Sequence, residues 1–183
     1  ELGQLEETVE CFEQALKIRP NLTGIHNNLG NILRDLDRYD EAILSYKKAI
    51  SFDSNFVEVY FNLGAVFQKL NQLDNAVDFY KLAIKIKLDY PEAHNNLGVA
   101  YKDLKEFDLA IKSYQMAIKI KPDYAEAHNN IGIVFRELGK LDAAVKSHEI
   151  ALKLIPNYAE AHNNLGIILL ENKELEQAIE KFK

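Results

Sequence analysis

Apolar residues recur along this chain at the three-and-four spacing of one helix face, in short runs separated by polar breaks. Leu2, Leu5, Val9, Phe12, Leu16 and Ile18 predict a helix over most of residues 1–20, with Pro20 as its stop. Farther on the runs come in pairs. Ala125–Leu138 and Leu141–Leu154 are two such runs, and Gly139 between them suits a left-handed cap on the first. Complete pairs are expected at 23–56, 57–90, 91–124 and 125–158, with an incomplete one at 159–183. Gly3, Ala15 and Pro20 match Gly139, Ala151 and Pro156, so 1–22 reads as the second helix of a truncated unit. The pattern predicts about eleven helices, no strand and a single array over 1–183.

The polar positions repeat as strictly as the apolar ones. Ala-His-Asn-Asn-Leu-Gly stands at 93–98 and returns, nearly unchanged, at 127–132 and 161–166. Its final glycine falls at 30, 64, 98, 132 and 166, a period of 34 residues that marks one structural unit stacked on itself. Asn55/Glu58, Asp89/Glu92, Asp123/Glu126 and Asn157/Glu160 each place a short polar residue three before a Glu, the spacing of a capping box. The second helices open with Asp40, Asp74, Asp108 and Asp142, and lysines near their ends complement the helix dipole.

Within the period, a large residue follows each Leu-Gly: Leu33, Phe67, Tyr101, Phe135 and Leu169. Then come Ala42, Ala76, Ala110, Ala144 and Ala178, the aromatics Tyr46, Tyr80, Tyr114 and Phe182, and Ala49, Ala83, Ala117 and Ala151. This pattern resembles the tetratricopeptide repeat over the whole chain. Two departures stand out. The large residue frequent early in the first helix is His26, His94, His128 or His162 here, with Tyr60 once. The repeat-ending proline is kept at Pro20, Pro122 and Pro156 but is Ser54 and Leu88 elsewhere. The resemblance implies an all-α, right-handed superhelical solenoid of stacked antiparallel helix pairs, with the first helices lining its concave side. A lone helix pair cannot bury its apolar stripe, so each unit leans on its neighbours. End-to-end self-association through uncapped terminal repeats is expected at high concentration.

Charge and composition remove several functions. A net charge of −6 without a dense basic run argues against nucleic acid or an anionic membrane as partner. No apolar run approaches the ~20 residues needed to span a bilayer. Cys11 is alone, which suits a reducing, cytoplasmic setting. The chain begins in mid-pattern and reads as an excised fragment. No nucleophile–base pair, phosphate loop or carboxylate pair appears at catalytic spacing, so neither enzymatic activity nor a cofactor is expected of this segment. The histidines stand a repeat apart, too far to share a metal ion.

Binding chemistry is carried by the first helices. On a helical wheel of 125–138, Ala127, His128, Ile131, Gly132, Val134, Phe135 and Leu138 form a packing arc. Glu126, Asn129, Asn130, Ile133, Arg136 and Glu137 lie opposite. That opposite arc carries Asn28, Asn62, Asn96, Asn130 and Asn164, one per unit, preceded in four units by Asn27, Asn95, Asn129 and Asn163. Asparagine is a mediocre helix former, and its amide matches the donor and acceptor of a peptide group. Helices ~10 Å apart would meet an extended ligand about every third residue. The ladder resembles that of the repeat superhelix in O-linked N-acetylglucosamine transferases, and the asparagines of peroxisomal-targeting-signal receptors. Inheritance by unit duplication, or amides bridging adjacent helices, would explain the same residues structurally.

Val99, Ile133 and Ile167 form an aliphatic stripe one turn beyond the asparagines. Phe61 stands where other units have the extra Asn, a candidate anchor for an apolar side chain. Arg34, Lys102 and Arg136 edge the same arc and could meet acidic groups. The expected function is a non-catalytic protein–protein interaction module that binds an extended peptide in its groove. The alternatives are the substrate-recognition arm of a larger glycosyltransferase-type enzyme and a self-assembling scaffold.

Overall fold

The computed structural model describes residues 2–171. These form ten helices and no strand: α1 (Leu2–Ile18), α2 (Thr23–Asp35), α3 (Tyr39–Phe52), α4 (Val57–Lys69), α5 (Leu73–Ile86), α6 (Pro91–Asp103), α7 (Phe107–Ile120), α8 (Ala125–Glu137), α9 (Leu141–Leu154) and α10 (Ala159–Glu171). The eleventh helix expected from the pattern lies outside the described residues. Contacts divide the chain between Leu88 and Asp89 into two compact units. The first holds α1 and the antiparallel pairs α2/α3 and α4/α5. The second holds the pairs α6/α7 and α8/α9, followed by α10.

Each pair is held by one ring packed closely against one glycine. A Cβ on Gly30 would stand 2.5 Å from the Tyr46 ring, and Gly64 and Gly98 would meet Tyr80 and Tyr114 at 2.6 Å. In the fourth unit His148 takes the ring's place over Gly132. The three tyrosines and His148 are fully buried, as are Ala42, Ala49 and their equivalents on α5, α7 and α9. Small residues bring the backbones together and one large ring fills the seam. At the far end, Leu165 and Leu169 of α10 pack on Val145 and Leu152 of α9.

The turn within each pair repeats atom for atom. Gly139 adopts φ 70°, its N–H donates to the Arg136 carbonyl, and Lys140 N–H reaches the Phe135 carbonyl. This is the left-handed cap expected from the sequence. The equivalent positions are Asp37, Asn71 and Lys105, which hold φ of 57–62° with a side chain attached. The packing geometry imposes the turn even where glycine is lacking.

The capping boxes do not form. The residues that cap α4, α6 and α8 are Phe56, Tyr90 and Tyr124, with no side-chain capping hydrogen bond, so Asn55, Asp89 and Asp123 stand one position too early. Asn157 likewise precedes α10 by two residues. What fastens the start of these helices is a reach backward. His26, His128 and His162 donate Nε2–H to the carbonyls of Pro20, Pro122 and Pro156 at 2.8, 3.1 and 2.8 Å. Tyr60 does the same through its hydroxyl to the Ser54 carbonyl at 3.0 Å. A polar ring early in the first helix therefore ties it to the end of the preceding repeat, which accounts for the His and Tyr at this position.

Candidate functional site

The two asparagines of each pair face in different directions. Asn27, Asn95 and Asn129 are 8%, 0% and 0% exposed, whereas Asn28 and Asn163 are exposed and Asn62, Asn96, Asn130 and Asn164 half-buried. This corrects the expectation that both face outward: Asn27, Asn95 and Asn129 are closed to any ligand. One face of the first helix packs on its partner, and one edge also packs on the next first helix. The first asparagine lies on that edge.

The pairs are joined across repeats. Asn62 Nδ2 donates to Asn27 Oδ1 at 3.0 Å in the first unit. In the second, Asn130 donates to Asn95 Oδ1 and Asn164 to Asn129 Oδ1, both at 3.1 Å. Each bond spans 35 residues, from the second asparagine of one repeat to the first of the repeat before. An amide has two N–H groups and one carbonyl oxygen. The bridge takes one N–H and leaves the half-exposed amide oriented by its neighbour.

Two further residues complete this network. Glu126 Oε1 accepts from Asn95 Nδ2 at 3.0 Å, so this carboxylate serves the ladder rather than a helix cap. His148 Nδ1–H donates to Asn129 Oδ1 at 3.0 Å. Its Nε2 is buried without a partner among the described residues, as are Asn129 Nδ2 and Tyr114 Oη. Burial, with the Arg136 guanidinium nearby, pushes the His148 imidazole down to about 4. Burial raises the Tyr114 hydroxyl far above its usual range, helped by Asp103, Glu126 and Glu137. Tyr46 and Tyr80 instead donate to Asn31 at 2.7 Å and Gln68 at 2.9 Å. A Glu recurring in four of the five first helices, with an Asn recurring in four, was the sequence signal for Glu126, but its spacing also fitted a cap.

The remaining candidates spread over the open side of the first helices. Val99, Ile133 and Ile167 are half-buried at successive repeats, and Leu170 is 43% exposed. Phe61 is half-buried, its ring 5.8 Å from that of Tyr80 and tilted by 53° to it. Arg34 pairs with Asp35 at 2.9 Å and Lys102 with Asp103 at 3.2 Å; Arg136 lies beside buried His148. In the first unit Arg34, Asp35, Asp37, Tyr39, Ala65 and Lys69 line an open hollow of about 360 Å³. No described helix is long and apolar enough to cross a membrane.

Comparisons with known proteins agree with this geometry. A family model described as TPR repeat matches residues 1–34, 30–71, 69–105 and 132–173, and one described as Tetratricopeptide repeat matches 91–124. The crystal structure of MamA is similar at 30% identity, covering 86% of this chain and 92% of that one with a TM-score of 0.79. YrrB, described as a TPR protein with an unusual peptide-binding site, shares the fold at 23% identity. That match covers 94% of this chain and 89% of its own, with a TM-score of 0.75. PilF of Pseudomonas aeruginosa shares it at 20% identity, over 87% of this chain and 73% of that one, with a TM-score of 0.80. No curated protein sequence matches significantly. The 34-residue period, the rings packed against glycines and these matches lead to one conclusion: the chain belongs to the tetratricopeptide-repeat family, whose modules mediate protein–protein interaction.

Proposed function

We propose that the chain is a non-catalytic module that binds an extended peptide segment along the open side of its first helices. The second asparagine of each repeat would hold the ligand backbone and the aliphatic row would select its side chains. The observation that carries this is the division of labour within each Asn-Asn pair. The buried first asparagine of one repeat takes one N–H of the half-buried second asparagine of the next, as in Asn27–Asn62, Asn95–Asn130 and Asn129–Asn164, and that orients the second amide. Preorganised amides bind an extended backbone without first losing rotamer freedom. Lone, exposed Cys11 suits an intracellular setting for such a module.

The test must separate ligand contact from helix bridging, because Asn130→Ala removes both. Asn95→Ala breaks the same bridge from the buried side and leaves the surface amide of Asn130 in place. Binding of a peptide library by the folded variants is compared with that of the parent. Loss in Asn96→Ala/Asn130→Ala with a smaller, partial loss in Asn95→Ala, where the amide is kept but no longer held, supports the proposal. Equal loss in both would make the ladder purely structural. Unchanged binding in both, with oligomers that grow with concentration, would favour a scaffold.

A further inference from the structure

The open sides of the first helices are chemically unlike in the two compact units. In the second unit each first helix carries an acid near both ends: Glu92 and Asp103 on α6, Glu126 and Glu137 on α8, Glu160 and Glu171 on α10. Five of the six are exposed and Glu92 is half-buried. At ~100° per residue these acids share a narrow arc with the second asparagine and the aliphatic residue, and they lie about 16 Å apart along the axis. The three helices therefore present four parallel rows. An acidic row is followed by the asparagines, then by Val99, Ile133 and Ile167, then by a second acidic row. In the first unit the rows are broken: Gly24 and Lys69 replace two acids, and Asn31 and Ala65 stand in the aliphatic row.

Neighbouring acids bear on the same tyrosine hydroxyls. Burial raises the Tyr124 hydroxyl, and Glu92 and Glu126 both add to the rise. Glu126 and Glu160 do the same at Tyr158, and Asp103, Glu126 and Glu137 at Tyr114. The cations present do not balance the rows. Lys102 is paired with Asp103, and the residue of α10 equivalent to Lys102 and Arg136 is Leu170. Counting Asp, Glu, Lys and Arg, α6, α8 and α10 together carry −4, whereas α2 and α4 each carry zero. Like charges at successive repeats repel, and a cationic ligand relieves that repulsion.

From this arrangement we infer that the second unit selects an aliphatic and basic segment, with Val, Ile or Leu side chains on the aliphatic row and Lys or Arg reaching the acids on either border. The inference rests on the peptide-binding reading and specifies its ligand. Charge complementarity of this kind acts mainly through association rate and specificity, and is weakened by salt.

The test uses two synthetic fluorescent peptides with Leu at every third position, one with Lys and the other with Glu at the positions between. Anisotropy is measured on the parent and on a Glu137→Gln/Glu160→Gln/Glu171→Gln variant, at low and high ionic strength. All three acids are exposed, and Gln keeps their size. The expected result is about tenfold or more tighter binding of the Lys peptide at low salt, with the gap narrowing several-fold in high salt and in the variant. Equal binding, or preference for the Glu peptide, overturns this inference and leaves the peptide-binding reading standing. Failure of both peptides to bind at millimolar concentration counts against both.

Discussion

Glycine 98 shows how two opposed residue-scale effects are settled by tertiary contact. In an isolated helix, Gly98→Ala would gain roughly 1 kcal/mol of helix propensity. Here the new Cβ would meet the Tyr114 ring at 2.6 Å, and that ring is fully buried with nowhere to retreat. Overpacking of this kind costs roughly 1–3 kcal/mol, enough to cancel or exceed the gain. Gly98→Ala should therefore lower the midpoint of thermal or urea unfolding, whereas Gly24→Ala, with nothing within 4 Å of the added carbon, should not. The period identified which glycines matter, and the reason lies in a ring from another helix.

At the scale of helix pairs, a second replacement has a pH signature. His148 occupies the site of Tyr46, Tyr80 and Tyr114, buried, with Nδ1–H bonded to Asn129 and Nε2 unpartnered. The imidazole titrates near 4 in the fold, against about 6.5 in an unfolded chain. The unfolded chain thus takes up the proton first, and stability falls as pH drops through that interval. It is fully present above about pH 6.5 and lower by about 3 kcal/mol below the folded value. Urea unfolding between pH 7 and pH 4 should show this slope, and His148→Phe should flatten it. An equally steep slope in His148→Phe would assign the effect to other groups.

Across the whole molecule, stability in a repeat array is a sum of units and nearest-neighbour interfaces. Asn129 is one such interface condensed into a side chain: its Oδ1 accepts from both Asn164 and His148. Asn129→Ala leaves two donors without that acceptor, at a cost of about 1–3 kcal/mol for each buried one. The loss should be local. Hydrogen exchange should show weakened protection in α8, α9 and α10, with amides of α2 and α3 unchanged; a uniform loss along the chain would contradict nearest-neighbour coupling.

Much of this was legible in the residues alone. Helical spacing fixes the elements, and a strict period with small residues facing one ring fixes how each pair closes. That logic is local, because both partners lie within one 34-residue unit. The ladder was only half legible. Asn129 and Asn130 are adjacent, and a wheel drawn for one buried face puts both outside, yet the first is buried and the second half-exposed. The same holds for Glu126, whose spacing suited a cap and whose carboxylate meets Asn95 on the neighbouring first helix. Period and composition by themselves determined the family, the helix pairs and the residues worth testing. Which asparagine is buried and which stays half-exposed was decided only when helices about 35 residues apart packed side by side, since single-helix periodicity carries no information about a second buried edge.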